Sequence, residues 1–105
     1  MRKTIAGGEP CVIVWEYDVK KGCRSPFEHH YGPRGPWARL FRSAPDFICT
    51  RLFRDPRRPL RYLTVDLWRS RKAYQAFLDK YLRRYISIDK RCAGFTRREM
   101  AFKSL

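Results

Sequence analysis

The sequence predicts an α+β fold with an antiparallel sheet and the ferredoxin-like order β-α-β-β-α-β. Three observations indicate this order: strand-like runs flank helix-forming ones, a proline-rich turn splits two adjacent strand-like runs, and a long amphipathic stretch precedes the last strand. A chain of 105 residues is long enough for one domain with a modest core. We therefore expect a loose N-terminal arm over residues 1–10 and a single domain over residues 11–105.

The first strand is predicted over Cys11–Val19, where side chains alternate between two faces. A helix start follows it. Ser25 is a good N-cap residue, Pro26 suits the first helical position, and Glu28 completes a capping box.

Glycine and proline then interrupt this helix over Gly32–Pro36, and a second short helix restarts at Trp37. Two interpretations stay open for the interruption. The rigid backbone, flanked by His30, Tyr31 and Trp37, forms a pocket wall, or it is a kink that fits the helix to a twisted sheet.

The second and third strands are predicted on either side of the turn Asp55–Pro59. One face of the third strand is aliphatic and is expected to lie under the helices: Leu63, Val65 and Leu67. The other face mixes rings, a hydroxyl and a carboxylate, which suits a partly polar cavity or an interface: Tyr62, Thr64, Asp66 and Trp68.

The last helix is predicted from Ser70 to about Cys92, with Gly94 as its stop and a final strand after it. Its apolar residues recur at helical spacing and indicate a core stripe, not a cofactor site. These residues are Tyr74, Phe77, Leu78, Tyr81, Leu82 and Tyr85.

The composition limits the functional classes. A net charge of +14 attracts anions in general, but the arginines are spread along the chain, which is more typical of a solvated face than of a nucleic-acid groove. No apolar run approaches the roughly 20 residues that span a bilayer. The four cysteines form no C-x-x-C pair, so a metal site is not indicated. We expect a cytoplasmic protein with reduced cysteines.

RNA-recognition domains share this element order and stack bases on aromatic residues of the central strands. The third strand here, Arg61–Trp68, lacks the glycine of their sequence pattern, and Asp66 would repel phosphate. The sequence therefore argues against nucleic acid as a partner, and any such binding is expected to be weak and to fall steeply with salt.

Four segments carry a resemblance to a known family. They are the V-K-K-G turn (Val19–Gly22), FEHHYGPRGPWARLF (Phe27–Phe41), the RDP turn (Arg54–Pro56) and YLTVDLWRSRKAYQAF (Tyr62–Phe77). Over about residues 11–103 the chain resembles the antibiotic biosynthesis monooxygenase-like superfamily, the dimeric α+β barrel proteins. The second segment resembles a subgroup without an assigned reaction.

The resemblance implies a homodimer whose sheets pack face to face around a lumen walled by the sheet face without helices. Assigned to that face are Val12, Val14, Glu16, Tyr62, Thr64, Asp66 and Trp68. The candidate catalytic residues are Asp66, Glu16 and His30. The candidate substrate-binding residues are Trp68, Tyr62, Thr64, Tyr31 and Trp37. In a competing interpretation, each carboxylate pairs with an arginine such as Arg51 or Arg98.

Haem-degrading members of the superfamily use an asparagine on the first strand, a tryptophan on the third strand and a histidine on the last helix. Trp68 matches the tryptophan, but the asparagine is missing and no histidine follows His30. We therefore expect no cofactor and no metal. What remains is cofactor-free oxygenation of a small anionic aromatic or quinol substrate. The alternative is a non-catalytic dimeric barrel that binds a small ligand, and the sequence leaves enzyme activity open.

Overall fold

The computed structural model describes residues 9–102, in which four strands form one antiparallel sheet and three helices pack on one side of it. The elements are β1 (Cys11–Val19), α1 (Arg24–Tyr31), α2 (Pro36–Phe41), β2 (Phe47–Arg54), β3 (Arg61–Trp68), α3 (Arg71–Cys92) and β4 (Thr96–Ala101). The strand order is β2-β3-β1-β4, which confirms the ferredoxin-like fold. The predicted arm over residues 1–10 falls almost entirely outside the described residues.

The start of α1 differs from the prediction. The helix begins at Arg24 with Cys23 in the N-cap position and no side-chain cap, so the capping box at Ser25 does not form. The tight turn after β1 sets this earlier start, because Cys23 N–H donates to Lys20 O at 2.9 Å. Gly22 closes that turn at φ 88°, a conformation that favours glycine.

At the interruption between α1 and α2, the backbone at Gly35 packs directly on the backbone of the last turn of α1. Gly35 lies against the carbonyl oxygens of His29 and His30, where a Cβ atom would clash. The residues on either side of the interruption are both buried: Tyr31 packs on Tyr17 of β1, and Trp37 packs on Tyr85 of α3. The segment is therefore a tight reversal that also sets two aromatic side chains beside each other.

Helix α3 begins as predicted, since the Ser70 hydroxyl accepts a hydrogen bond from Ala73 N–H at 3.0 Å. The helix is kinked at Tyr81, whose φ of −112° and ψ of 22° are not helical. Ala93–Phe95 continue as a short 3-10 turn, and Gly94 does not adopt the left-handed stop expected of it. In the part of the chain that the structure describes, no helix is both long and apolar enough to cross a membrane. The cytoplasmic location stays a prediction.

The two faces of β3 are exchanged relative to the prediction, whereas Val12, Val14 and Glu16 of β1 lie on the uncovered face, as the resemblance implied. The register pairs Ile13 with Asp66 and Tyr17 with Tyr62, so these residues share one face. That face lies under the helices, because the ring of Phe27 in α1 is 4.8 Å from that of Tyr62. Leu63, predicted under the helices, lies instead on the uncovered face, together with Val65 and Leu67.

Large rings explain this choice of face. Trp68 is fully buried, with its ring 5.8 Å from Phe41 of α2 and 4.8 Å from Phe77 of α3. Burying such rings removes more apolar area from water than burying the aliphatic set of β3. The core is therefore built from aromatic side chains of the sheet and of all three helices.

The uncovered side of the sheet, here called the open face, is mostly aliphatic. Val12 pairs with Leu67 and Val14 with Val65, and no described helix covers these residues. At its edge on β2, Phe53 is 52% exposed. The open face thus presents a continuous apolar surface across the central strands.

Four charged residues at one end of the open face form a closed network. Arg98 contacts Glu16 at 2.7 Å and Asp18 at 2.9 Å. Arg61 contacts Asp18 at 3.1 Å and Glu16 at 3.6 Å. Burial opposes ionisation of Asp18, but hydrogen bonds from Arg98 and Arg61 outweigh it and lower its pKa. Two acids and two bases leave this corner locally neutral in a strongly basic chain.

Candidate functional site

A small cavity lies between the helix-covered face of the sheet and the helices, and most of its wall is aromatic. The aromatic residues that line it are Trp15, Tyr17, Tyr31, Trp37, Phe41 and Tyr85. The polar residues that line it are Thr50, Thr64, Asp66, Asp89 and Glu99. Its volume is about 50 Å³, which holds a few water molecules. A ring-sized ligand therefore requires side chains at the mouth, such as the half-buried Trp15, to move.

Asp66 is the most buried charged residue of the cavity. It points to the helix side from the middle of β3 and is only 7% exposed. Its Oδ1 accepts a hydrogen bond from the Thr50 hydroxyl at 2.5 Å. Burial raises its pKa to about 6, although the Thr50 bond opposes the shift. A carboxylate with this pKa is largely ionised at pH 7 yet accepts a proton readily, as a general base must.

Neutral phenols surround the carboxylate. The hydroxyls of Tyr17 and Thr64 are hydrogen-bonded at 3.0 Å. Burial raises the pKa of Tyr17 well above its usual value, although the Thr64 bond opposes this, and the nearby Asp66 charge adds to the rise. Burial likewise raises the pKa of Tyr31 and of Tyr85. These phenols stay protonated at neutral pH and can donate hydrogen bonds to a substrate oxygen.

The mouth of the cavity is acidic. Asp89 on α3 and Glu99 on β4 are exposed, and both line the cavity with Asp66. Among the described residues, no lysine, arginine or histidine lines it. The local charge therefore favours neutral or cationic ligands over the small anionic aromatic expected from the sequence.

Four of the predicted site residues line the cavity together: Asp66, Thr64, Tyr31 and Trp37. Two others lie beside it. Trp68 belongs to the core, and Tyr62 donates a hydrogen bond to Glu28 of α1 and accepts one from Arg24 at 3.4 Å.

The remaining two predicted residues lie elsewhere. Glu16 is on the open face, where it pairs with Arg98, so it shares no cavity with Asp66. The competing interpretation of an arginine pair is therefore confirmed for Glu16 but not for Asp66. His30 Nδ1 donates to Pro26 O at 2.8 Å, and its ring packs 5.0 Å from that of Phe95.

Several residues that line the cavity were not predicted from the sequence, although the sequence pattern points to some of them. Trp15 and Tyr17 lie on the aromatic face of β1. Both could have been predicted by assuming that this face packs against the aromatic residues of the helices. Thr50 lies opposite Asp66 on the neighbouring strand. The register between β2 and β3 could not be predicted from the sequence. Asp89 and Glu99 left no signal, since each is a single acid in an exposed segment.

Within residues 9–102, no three histidine, cysteine, aspartate or glutamate side chains are arranged to hold a metal ion. The cysteines described in this range are free thiols. Burial raises the pKa of Cys92, although contacts with Tyr31 and Trp37 oppose the shift. A buried thiol with a raised pKa is a poor nucleophile.

No protein-family profile matches the sequence, and no curated protein matches it. Solved structures do share the fold. A Nitrosomonas europaea protein named as an antibiotic biosynthesis monooxygenase has a TM-score of 0.69 at 13% identity, over 90% of this chain and 88% of that one. PA3566 from Pseudomonas aeruginosa has a TM-score of 0.72 at 12% identity, over 93% of each chain.

A third neighbour is a mutant of SnoaB, a cofactor-independent oxygenase from Streptomyces nogalater. Its TM-score is 0.60 at 16% identity, over 91% of this chain and 93% of that one. At such identities the likeness establishes the fold alone. It confirms the ferredoxin-like α+β fold that the resemblance implies.

Proposed function

From this shared fold and the buried carboxylate, we propose that the protein is a cofactor-independent monooxygenase that binds a small hydroxylated aromatic substrate in the cavity. The observation that carries the proposal is Asp66, a buried carboxylate with one hydrogen-bond donor in an aromatic-walled cavity. The acidic lining argues against a substrate that enters as an anion.

In the proposed reaction, Asp66 removes a proton from an acidic CH₂ group of the substrate. The resulting carbanion, delocalised into the ring system, supplies electrons to O₂, and a bond forms between carbon and oxygen. One oxygen atom stays as a carbonyl, and the other leaves as water with the two hydrogens of the CH₂ group. The substrate is the reductant and O₂ the oxidant, so no further co-reactant is consumed.

The surrounding side chains support this chemistry in two ways. The phenols of Tyr17 and Tyr31 can donate hydrogen bonds to the oxygen of the delocalised anion, which stabilises it. A bound substrate displaces the few water molecules that the cavity holds, so a charge that develops inside is stabilised by fixed dipoles and not by solvent. Asp66 becomes neutral as the substrate becomes an anion, which limits repulsion between the two.

The test is oxygen uptake with a hydroxylated anthrone, a neutral aromatic with one acidic CH₂ group. We expect the protein to consume one O₂ per anthraquinone formed, without hydrogen peroxide, and faster than the uncatalysed oxidation. Binding of the anthrone without any acceleration would contradict catalysis and leave the ligand-binding alternative.

We also propose that a second copy of the chain covers the open face. The aliphatic residues of β1 and β3 lie on a face that no described helix covers, most of them half-buried, and Phe53 at its edge is 52% exposed. An apolar face of this kind associates with another apolar surface. The network of Glu16, Asp18, Arg61 and Arg98 is neutral within one chain, so apposing two such faces avoids repulsion at that corner.

Light scattering at micromolar concentration should report about 25 kDa, twice the 12.6 kDa of one chain. The substitution Val65→Arg places a charge at the centre of the open face and should shift the protein to a monomer. The matched control is Leu82→Arg, which adds the same charge at an apolar residue of α3 that is already 51% exposed. A wild-type monomer, or a Val65→Arg dimer of unchanged affinity, would contradict the assignment of this face.

A further inference from the structure

We propose that the ligand of the cavity is an aromatic amine: its ammonium group sits at the acidic mouth and its hydroxylated ring lies between the aromatic walls. The inference rests on the proposed function because it uses the same cavity, and it adds that the ligand is a cation. Three features of the described residues support it: the aromatic lining, the distribution of charge, and the incomplete pairing of Asp66.

The aromatic lining forms a continuous surface of ring faces and edges. The ring of Trp37 is 4.9 Å from that of Tyr85, at an interplanar angle of 70°, and 6.1 Å from that of Tyr31. Tyr31 lies 5.0 Å from Tyr17, which is 6.4 Å from Trp15. Tryptophan and tyrosine rings attract organic cations through their negative faces, and they also stack on aromatic ligands.

The charge of the cavity is opposite to that of the chain. The sequence has 24 lysines and arginines against 10 acidic residues, yet the described charged residues that line the cavity are all acidic. Asp89 and Glu99 are exposed at the mouth, and Asp66 is buried. Each of these carboxylates acts on Tyr85 and raises the pKa of that phenol, after burial as the main cause, which indicates that they surround one region of space.

The pairing of the cavity's polar groups is incomplete. Asp66 accepts from the Thr50 hydroxyl and, among the described residues, forms no salt bridge, although it is nine-tenths buried. A buried carboxylate normally accepts several hydrogen bonds or pairs with a cation, so a carboxylate with one donor beside a cavity leaves room for a hydrogen bond from a ligand.

These features favour an organic cation with a ring over a simple ion. Aromatic walls gain little from a small hydrated cation but gain both stacking and cation–π attraction from an aryl ammonium. The two exposed carboxylates suit the ammonium, whereas the buried Asp66 suits a neutral hydroxyl donor. A phenol linked by a short chain to an amine has both groups.

Three single-ring probes that differ mainly in charge test the inference by calorimetry. Tyramine is a cation, 4-ethylphenol is neutral, and 3-(4-hydroxyphenyl)propionate is an anion. We expect tyramine to bind about tenfold more tightly than 4-ethylphenol, and the anion to bind most weakly. Equal binding of the three probes, or tightest binding of the anion, would overturn the inference.

Variants at the mouth separate a local effect from a general charge effect. Glu99→Gln and Asp89→Asn should each weaken tyramine binding about threefold and leave 4-ethylphenol binding unchanged. The matched control is Asp79→Asn, which removes the same charge from an exposed position of α3 that does not line the cavity. A loss of tyramine binding in Asp79→Asn as large as in Asp89→Asn would contradict a site at the mouth.

The outcomes also distinguish the inference from the proposed function. Preferential amine binding without oxygen uptake would retain the ligand class and reject the monooxygenase. Oxygen uptake with the neutral anthrone but no preference for tyramine would retain the monooxygenase and reject the ligand class.

Discussion

Replacing Asp66 by asparagine should reduce oxygen uptake with a hydroxylated anthrone by about 100-fold or more, since general-base catalysis contributes on that scale. Asparagine keeps the shape of the side chain and can still accept the hydrogen bond from Thr50, but it cannot take up a proton. Steady-state oxygen uptake measures the effect. Glu16→Gln is the control because it removes a carboxylate from the opposite face of the sheet. An Asp66→Asn variant that keeps most of its turnover would refute the assigned base.

The same substitution should make the protein more stable at neutral pH. Burial raises the pKa of Asp66 to about 6 in the folded state, whereas the pKa of an aspartate in the unfolded chain is near 3.9. Between these two pH values, the folded protein keeps the proton on Asp66 and the unfolded chain loses it. The stability that this group contributes is complete below about pH 4 and is lost as the pH rises through 6. Asp66→Asn should therefore raise the free energy of unfolding by about 2 kcal/mol at pH 7.5 and change it little near pH 4. Urea unfolding at the two pH values measures this, and an equal effect at both would contradict the shifted pKa.

Replacing Trp68 by alanine should lower the free energy of unfolding by about 3–5 kcal/mol, the usual cost of deleting a buried tryptophan. Trp68 is 0% exposed and contacts rings of the sheet and of two helices, including Phe47 at 5.2 Å and Phe77 at 4.8 Å. For a domain of this size, the loss is a large part of the total stability. Chemical denaturation measures it, with ligand binding followed in parallel.

Trp68→Phe is the matched control for that experiment. It keeps a ring in the core and removes the indole N–H, which is buried without a partner among the described residues. Its cost should therefore be small, below about 1.5 kcal/mol. Because Trp68 does not line the cavity, Trp68→Phe should bind tyramine as the wild type does. A selective loss of binding in this stable variant would place Trp68 in the site after all.

Most of the secondary structure could be predicted from the sequence because its signals are local. The proline-rich turn after β2, the Ser70 cap and the helical spacing of Phe77 and Tyr81 each act over a few residues. The start of α1 was missed because Ser25 is a good N-cap residue, whereas the turn at Gly22 places Cys23 at the N-cap position without a side-chain cap.

The orientation of β3 was not predictable by the same means, although the face of β1 was assigned correctly. Alternation in β3 shows that Tyr62 and Asp66 share a face, but not which face the helices cover. A polar residue such as Asp66 made its face resemble an exposed one, and Leu63 and Val65 made the other resemble a core. The ring sizes decided the outcome, because Tyr62 and its neighbours on that face fill the space under the helices.

The candidate site was predictable only in part for a related reason. Asp66, Thr64, Tyr31 and Trp37 were identified from strand alternation and from the family resemblance, and the fold brings them to one cavity. The acidic mouth arises from α3 and β4, which are distant in sequence from β3. A net charge of +14 gave no indication that this one cavity is negative.

The dependence of kcat/KM on pH for oxygen uptake tests the central claim most directly. If Asp66 is the base, kcat/KM should rise between about pH 5 and pH 7 with an apparent pKa near 6, because that carboxylate must be ionised in the free enzyme. The rise should persist in Glu16→Gln and vanish in Asp66→Asn. A profile that is flat over this range, or one that Asp66→Asn leaves unchanged, would contradict a catalytic base in the cavity between sheet and helices.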